Sequence, residues 1–215
     1  MNFKLIMWYN IICQDEMLEC RLVNDYHECR ELLKQVYCDE LKWCPPEDNI
    51  INHRIENNEL CDDYDDKVIW AGVWDGSLLV GVARAFVGNR YEHEIDAFLA
   101  NSCFDKGDIN PILMSGSLPD IYVEVNRLAV KESHRKKGVH CMLMGLAMKI
   151  AILYGGIPII TSTNHPSIAY QFGDVNRKIG SMLYYDDDPV DIYIFEKPLE
   201  GLEFSNMLYN TKYSN

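Results

Sequence analysis

Residues 122–155 read YVEVNRLAVKESHRKKGVHCMLMGLAMKIAILYG, in which a strand pattern passes through a glycine turn into a helix pattern. Residues 121–130 alternate apolar and polar side chains and are rich in β-branched residues, which predicts a half-buried strand. From about Lys136 onward, apolar residues recur at helical spacing, which predicts an amphipathic helix. These residues are Met142, Leu146, Ile150 and Leu153.

The turn between the two elements, residues 133–138, is polar and ends in Gly138 at the helix entrance. A strand that leads through a glycine turn into a helix presents backbone N–H groups and the positive end of the helix dipole. Such a turn binds anions, and a pyrophosphate or the phosphate of a phosphopantetheine arm is the most natural occupant. The sequence therefore predicts an anion site at this turn.

The same residues resemble the cofactor-binding motif of the GNAT acyltransferases. The resemblance is carried by Leu128-Ala129-Val130, by Arg135-x-x-Gly138 and by a long helix ending in Gly155-Gly156, while His140 stands where that motif usually has a small residue. It implies a GNAT-like α/β fold, with a mixed central sheet flanked by helices on both faces. It also implies that the phosphopantetheine arm of the acyl donor is held at Leu128, Val130, Arg135, Lys136, Lys137 and Gly138.

A narrower resemblance concerns Glu124-x-x-Arg127 followed by Leu-Ala-Val, which is similar to the signature of acyl-homoserine-lactone synthases. These GNAT relatives join an acyl chain from acyl carrier protein to S-adenosylmethionine. Further matches are Tyr37 with Trp43 six residues later, the pair Asp62 and Asp65, and Arg84 after Gly81. The arginine that the family carries four residues before the aromatic falls on Leu33, so Arg30 or Lys34 is the candidate replacement.

The resemblance implies a role for each of these residues. Glu124 would accept the amine proton through water, with Arg127 as its partner in the catalytic pair, while N–H groups near Leu128 polarise the thioester carbonyl. Lactonisation would then release methylthioadenosine and a quorum-sensing signal. The substrate-binding set comprises Tyr37, Trp43, Asp62, Asp65 and Arg84, in which the aspartates take the cationic end of S-adenosylmethionine and Trp43 supplies an aromatic face.

The spacing of the Glu124 and Arg127 pair leaves an alternative open. Residues three apart on a regular strand face opposite sides of the sheet, unless a bulge intervenes. Without a bulge, the two side chains would not meet in one site. A purely structural ion pair, rather than a catalytic one, is the competing interpretation.

Composition limits the partners. The 215 residues and 24.9 kDa are typical of one globular domain, and the net charge of −13 argues against general nucleic-acid binding. An acidic acyl carrier protein would need a local basic patch, for which the candidates are Arg135, Lys136 and Lys137, then Lys149, Arg177 and Lys178. No apolar run approaches the about 20 residues that span a bilayer, and we expect a cytoplasmic protein.

The sequence offers no pattern typical of a metal site or a bound cofactor, since S-adenosylmethionine is expected as a substrate. The six histidines have no ligand spacing, and the eight cysteines are scattered without a C-x-x-C pair. We expect the cysteines to be reduced thiols.

The predicted order of elements is β-α-loop-β-β-loop-β-α-β-α-β. Residues 1–16 are expected to be an N-terminal extension, residues 17–198 the acyltransferase domain and residues 199–215 a tail without a clear pattern. Residues 47–66 are polar and are expected to form a mobile loop. The predicted elements are a strand at 17–23, a helix from Asn24 or Asp25 to Lys42, a hairpin at 67–87, a strand at 157–163, a helix at 167–179 and a final strand at 191–197.

Two other functions remain open. The first is a different GNAT N-acyltransferase, either an N-acyl amino acid synthase or an acyl-CoA-dependent enzyme, which would keep the thioester turn and Glu124. The second is a catalytically silent binding module, which the missing arginine at Leu33 favours. The group formed by Trp43, Asp62 and Asp65 distinguishes the acyl-homoserine-lactone synthase hypothesis from both of these alternatives, because neither alternative needs it.

Overall fold

The computed structural model describes residues 9–10, 18–44, 51–89, 92, 95, 120–162, 175–184 and 188–212. The strands are β1 (Tyr9–Asn10), β2 (Leu18–Val23), β3 (Arg54–Glu56), β4 (Glu59–Cys61), β5 (Ile69–Asp75), β6 (Leu78–Asn89), β7 (Ile121–Val130), β8 (Ile157–Ser162), β9 (Arg177–Tyr184) and β10 (Asp188–Ile194). The helices are α1 (His27–Lys34), continued by a π-helix (Gln35–Glu40), then α2 (Val139–Tyr154) and α3 (Pro198–Lys212), with a 3-10 turn at Glu132–His134.

Eight of the described strands form one mixed sheet in the order β1-β2-β5-β6-β7-β8-β10-β9, and β3 and β4 form a separate hairpin. The pair β7 and β8 is parallel, with α2 as its crossover, whereas the other neighbours in the sheet are antiparallel. This topology confirms the predicted mixed α/β fold of GNAT type.

Helices cover both faces of the sheet, as predicted. On one face, α2 packs against the central strands, and Gly81 allows this close approach because a Cβ there would lie 2.3 Å from Val139 Cγ1. On the other face, α1 buries Leu32 and Leu33 against Trp70 and Trp74. Among the described residues, no helix is both long and apolar enough to cross a membrane.

The C-terminal region is a helix rather than a patternless tail, so this prediction is wrong. Helix α3 packs along α2, buries Leu208 and Tyr209, and its Ser205 hydroxyl donates a hydrogen bond to the carbonyl of Cys141. Small residues face each other in this contact, because a Cβ on Gly145 would lie 3.3 Å from Ser205 Oγ. Close packing through small residues, rather than a broad apolar stripe, explains why no helical pattern was evident.

The helix predicted at 167–179 is also wrong where it is described. Residues from Arg177 onward form β9, which pairs with β10 from Arg177–Ile194 to Tyr184–Asp188. Pairing with a neighbouring strand outweighs the local helical propensity here. The remainder of the predicted helix, up to residue 174, lies outside the described residues.

Residues 51–66 form a hairpin and a turn rather than the predicted loop, whereas residues 47–50 of that prediction lie outside the described residues. Asn57 and Asn58 have φ of 51° and 67°, the left-handed pair that closes a two-residue hairpin between β3 and β4. Ile51 and Leu60 are buried beneath it. Leu60 belongs to the same core as Leu32, Leu33 and Trp70, so the hairpin packs on the main domain and brings polar residues against the central sheet.

Two further differences concern the N-terminal part. Tyr9–Asn10, within the predicted extension, pairs with Glu19 and Cys20 at the edge of the sheet. Cys38 and Cys44 form a disulfide, so the expectation of reduced thiols is wrong for this pair. The other described cysteines are buried thiols: Cys20, Cys29, Cys61 and Cys141.

Candidate active site

A bulge in β7 brings Glu124 and Arg127 into one site. Val82 pairs with Ala129 and Arg84 with Asn126, so β7 has one residue more than β6 in this interval. Arg127 has φ of 51°, a left-handed conformation that is rare for a residue other than glycine. The bulge predicted as a possibility is therefore present, and it turns Arg127 towards Asp62, whose Oδ2 lies 3.3 Å from Arg127 Nη2.

Arg84 holds Asp62 and Asp65 together. Its Nη1 lies 2.8 Å from both oxygens of Asp62 and 2.8 Å from Asp65 Oδ1, and the side chain is 0% exposed. The indole of Trp70 lies below the guanidinium, with 5.5 Å between Arg84 Cζ and the ring centre. A buried guanidinium needs such partners, because an unpaired buried charge is strongly destabilising.

The two aspartates respond differently to this environment. Burial by itself raises the pKa of Asp62, but the charges of Arg84 and Arg127 outweigh it and hold that pKa below the usual range. Burial raises the pKa of Asp65, and the adjacent carboxylate of Asp62 raises it further against the opposing effect of Arg84. The pair therefore consists of a firmly ionised carboxylate beside one that protonates more readily.

The turn at residues 62–66 points the two predicted aspartates inward. The N–H of Asp62 donates to Asp65 Oδ2 at 3.0 Å, and the N–H of Tyr64 donates to Asp62 Oδ1 at 2.9 Å. Asp63 and Asp66, in contrast, are exposed. The structure thus brings Asp62, Asp65 and Arg84 together in the arrangement that the sequence suggested.

Arg30, rather than Lys34, reaches this cluster. Arg30 forms an ion pair with Glu59 and lies 3.7 Å from Asp65 Oδ2, whereas Lys34 binds Asp39 on the surface. Leu33 is buried in the core. Three carboxylates are therefore matched by three arginines: Glu59, Asp62 and Asp65 by Arg30, Arg84 and Arg127.

Sequence reasoning missed His53, which lies inside the site. It is 0% exposed, and its Nε2 accepts a hydrogen bond from Arg127 Nη2 while lying 3.7 Å from Asp62 Oδ2. Burial, and then the charge of Arg127, lowers the pKa of His53 to about 2, so the imidazole is neutral. Nothing in the sequence around His53 indicated this position, because the contact depends on how the hairpin folds onto β7.

Glu124 is buried, with an exposed fraction of 1%, and both its oxygens accept hydrogen bonds. Asn126 Nδ2 donates to Oε1 at 3.0 Å, and the N–H of Ile95 donates to Oε2 at 3.1 Å. Arg84 Nε donates to Asn126 Oδ1 at 3.0 Å. One amide therefore connects Glu124 to the arginine and aspartate cluster, and Asn126 is a second residue that sequence reasoning missed.

Tyr37 and Trp43 lie beside the bulge. The Tyr37 hydroxyl is 3.3 Å from the carbonyl oxygen of Leu128, and the two aromatic rings pack edge to face with centres 5.3 Å apart. The indole in contact with Arg84 belongs to Trp70, which the sequence did not indicate, and the role of Trp43 as an aromatic face for the substrate stays a prediction. The structure places Trp43 against Tyr37 just after the π-helix, where the backbone N–H of Trp43 donates to the backbone carbonyl of Tyr37.

The sheet opens next to these residues. The parallel pairing of β7 with β8 runs from Tyr122–Ile157 to Val125–Ile160, although β7 continues to Val130. The predicted turn follows, and Gly138, with φ of 80°, begins α2. The part of β7 that includes Leu128 and Val130 therefore lies beyond its last described pair with β8, and it leads through the turn directly into α2.

The predicted basic patch is smaller than expected. Arg135 is held by Glu40 and by the carbonyl of Val130, at 2.6 Å and 3.1 Å, while Lys136 is exposed and Lys137 half-buried. The more distant candidates are also engaged. Lys149 is partly buried, and this burial lowers its pKa, while Arg177 and Lys178 pair with Glu196 and Asp191.

Comparison with protein families gives one match, to the acetyltransferase (GNAT) domain, over residues 32–145. This interval is more than half of the chain and contains the residues of the site described above except Arg30. A comparison with curated protein sequences gives no significant match.

Solved structures share the fold at low sequence identity. FeeM, an N-acyl amino acid synthase from uncultured soil microbes, is 11% identical, with a TM-score of 0.60 over 89% of this chain and 98% of that one. BjaI, a CoA-dependent acyl-homoserine lactone synthase, is 13% identical, with a TM-score of 0.62 over 91% and 90%. The acyl-homoserine lactone synthase LasI is 11% identical, with a TM-score of 0.56 over 83% and 89%.

Proposed function

The chain belongs to the acetyltransferase (GNAT) domain family, and from this premise we propose that it transfers an acyl chain from a thioester to the amine of an amino-acid substrate. The observation that carries the proposal is the position of Glu124. This buried carboxylate lies on β7, the strand that leads into the turn where we place the thioester, and Asn126 links it to the cluster of Arg84, Asp62 and Arg127. A base and a charged binding site are thus adjacent.

The chemistry requires three contributions from the protein. The amine must lose a proton, which Glu124 accepts, directly or through one water. The carbonyl must be polarised as the tetrahedral intermediate forms, which backbone N–H groups of β7 near Leu128, beyond its last described pair with β8, can do. The acceptor must be held by its charged groups, which is the role of the arginine and aspartate cluster.

S-adenosylmethionine is the first candidate acceptor. The sequence resemblance to acyl-homoserine-lactone synthases supports it, since the site contains Glu124, Arg127, Asp62, Asp65 and Arg84 together. In this case, lactonisation of the acylated product releases methylthioadenosine. Acyl carrier protein is the proposed donor, with the phosphopantetheine arm at the turn that ends in Gly138.

An ordinary amino acid is the second candidate acceptor, and the charge balance of the cluster favours it. S-adenosylmethionine brings a sulfonium in addition to its ammonium group, whereas Glu59, Asp62 and Asp65 already face Arg30, Arg84 and Arg127. An amino acid brings only one cationic group and one carboxylate, and its carboxylate can share an arginine. The product would be an N-acyl amino acid.

One experiment tests both candidates. Purified protein is incubated with an acyl carrier protein thioester, or the matching acyl-CoA, and either S-adenosylmethionine or a mixture of the common amino acids. Methylthioadenosine release identifies the first acceptor, and an N-acyl amino acid detected by mass spectrometry identifies the second. Glu124→Gln should lower kcat by a factor of roughly 100 or more in the active combination, the scale for loss of a general base. Full activity of Glu124→Gln would contradict the proposal.

A further inference from the structure

Asn126 lies between Arg84 and Glu124 and forms a hydrogen bond with each of them. Arg84 Nε lies 3.0 Å from its Oδ1, and Glu124 Oε1 lies 3.0 Å from its Nδ2. The residue is buried, and it is two positions from Glu124 on β7, so the two side chains share one face of the strand.

The orientation of this amide follows from its partners. A guanidinium has only donors, so the amide oxygen must face Arg84, and the amide NH₂ must then face Glu124. An NH₂ group requires an acceptor, which an ionised carboxylate supplies at either oxygen. The backbone N–H of Ile95 likewise donates a hydrogen bond to Glu124 Oε2 at 3.1 Å. Both donors therefore stabilise the carboxylate form of Glu124, which is the form that accepts a proton.

We propose that Asn126 is a positioning residue for acyl transfer, which holds Glu124 ionised and in a fixed orientation by using Arg84 to fix its own amide. The proposal rests on the proposed role of Glu124 as the base. It adds that Arg84 connects the binding cluster to the base. Its Nη1 binds Asp62 and Asp65, and its Nε orients Asn126, which in turn orients Glu124.

Two substitutions remove the amide NH₂ that Asn126 donates to Glu124. Asn126→Asp keeps the acceptor for Arg84 Nε but replaces the NH₂ with a second carboxylate oxygen next to Glu124. Asn126→Ser is too short to bind both neighbours at once. In both variants Glu124 loses a donor, and in Asn126→Asp it also gains a like charge, so its proton affinity rises.

The test is the pH dependence of kcat/KM for the active acceptor, measured for the wild type, both variants and two controls. We expect the pKa of the acidic limb to rise by about one unit in Asn126→Asp and by less in Asn126→Ser, with a tenfold or smaller loss of kcat at the optimum. Asn89→Asp is the matched control. Asn89 Nδ2 also donates to a carboxylate, that of Glu92 at 3.2 Å, but on the exposed end of β6, and its profile should equal that of the wild type.

The second control, Glu124→Gln, separates the two proposals. If it is inactive while both Asn126 variants keep the wild-type profile, Asn126 is not a positioning residue, although Glu124 remains the base. If Glu124→Gln is fully active, the proposed function is wrong and the role of Asn126 with it. Thermal unfolding shows whether each variant folds. If Asn126→Asp fails to fold, the pH profile of Asn126→Ser decides whether Asn126 is a positioning residue.

Discussion

Arg135 donates a hydrogen bond of 2.6 Å to Glu40, and the same carboxylate accepts the backbone N–H of Glu132 at 3.0 Å. The end of the π-helix thereby fixes the turn that leads into α2. Since its charge is matched within the protein, Arg135 contributes less to an outward-facing basic surface than the sequence suggests. Lys136, exposed and directly before the half-buried Lys137, is the stronger candidate contact for an acidic carrier protein.

We predict that Lys136→Glu raises the KM for acyl carrier protein thioesters several-fold and makes this KM less dependent on salt concentration. The KM for acyl-CoA should change little. The reason is that rim charges steer an oppositely charged partner, and salt screens this attraction. Steady-state kinetics at two ionic strengths measure the effect. Lys42→Glu is the control, because Lys42 is also exposed and also has a positive φ. An equal loss with both donors would contradict carrier docking at this turn.

A second prediction concerns the stability of the protein in mild acid. Burial, and then the charge of Arg127, lowers the pKa of His53 to about 2 in the folded protein, whereas the unfolded value is near 6.5. Below pH 6.5 the unfolded chain therefore binds one more proton at this residue, and the free energy of unfolding falls by roughly 1.4 kcal/mol per pH unit. Stability from His53 is thus present above pH 6.5 and is lost as the pH falls.

Urea unfolding at pH 7 and pH 5 tests this prediction. In His53→Gln the amide oxygen can accept the hydrogen bond from Arg127 without titrating, so we expect its loss of stability between the two pH values to be smaller by about 2 kcal/mol. His27→Gln is the control, since the His27 side chain is 62% exposed. Identical pH dependence of the wild type and His53→Gln would show that His53 is not the group responsible.

The central part of the fold could be predicted because its signals are local. The alternation in residues 121–130 and the glycine before α2 determine strand, turn and helix through neighbouring residues alone. The predicted half-buried strand is nevertheless wrong in one respect: the polar side chains of Glu124 and Asn126 are buried as well. Their hydrogen-bond partners include groups from other parts of the chain, namely Arg84 and the backbone N–H of Ile95.

The remaining features depend on contacts that no local pattern records. The bulge at Arg127 is a property of the pairing between β6 and β7, and His53 enters the site only when the β3–β4 hairpin folds onto the sheet. Helix α3 buries side chains through close contact with α2 at Gly145 and Ser205. In each case tertiary packing decides the structure, and the local sequence is compatible with several outcomes.

A third prediction contrasts the two ends of the chain. Deletion of residues 1–16 removes one two-residue strand at the sheet edge, Tyr9–Asn10, so we expect a folded, active protein with a slightly lower Tm. Deletion of residues 199–215 removes α3 and exposes the surface of α2 beneath it, so we expect loss of cooperative unfolding. Calorimetry of both variants measures the difference. An unfolded N-terminal variant would contradict the first expectation, and a stable C-terminal variant the second.

The last prediction concerns Asp65, which distinguishes the two acceptors. Asp65→Asn keeps the shape of the side chain but removes the charge facing Arg84 and Arg30. We expect kcat/KM to fall by an amount equivalent to about 2 kcal/mol of transition-state stabilisation, the scale for a buried charge-assisted hydrogen bond. Asp66→Asn is the matched control, since Asp66 is exposed and one residue away, and it should behave as the wild type.

The distribution of this loss over the two reactions carries the further information. If Asp65 contacts the cationic end of S-adenosylmethionine, methylthioadenosine release should fall much more than acylation of an ordinary amino acid. If Asp65 only holds Arg84 in place, through the 2.8 Å contact to Nη1, both reactions should fall by the same factor. A larger effect from Asp66→Asn than from Asp65→Asn would contradict the proposal that the buried cluster binds the acceptor. In that case the exposed carboxylate, rather than the buried one, would be the residue that matters for the reaction.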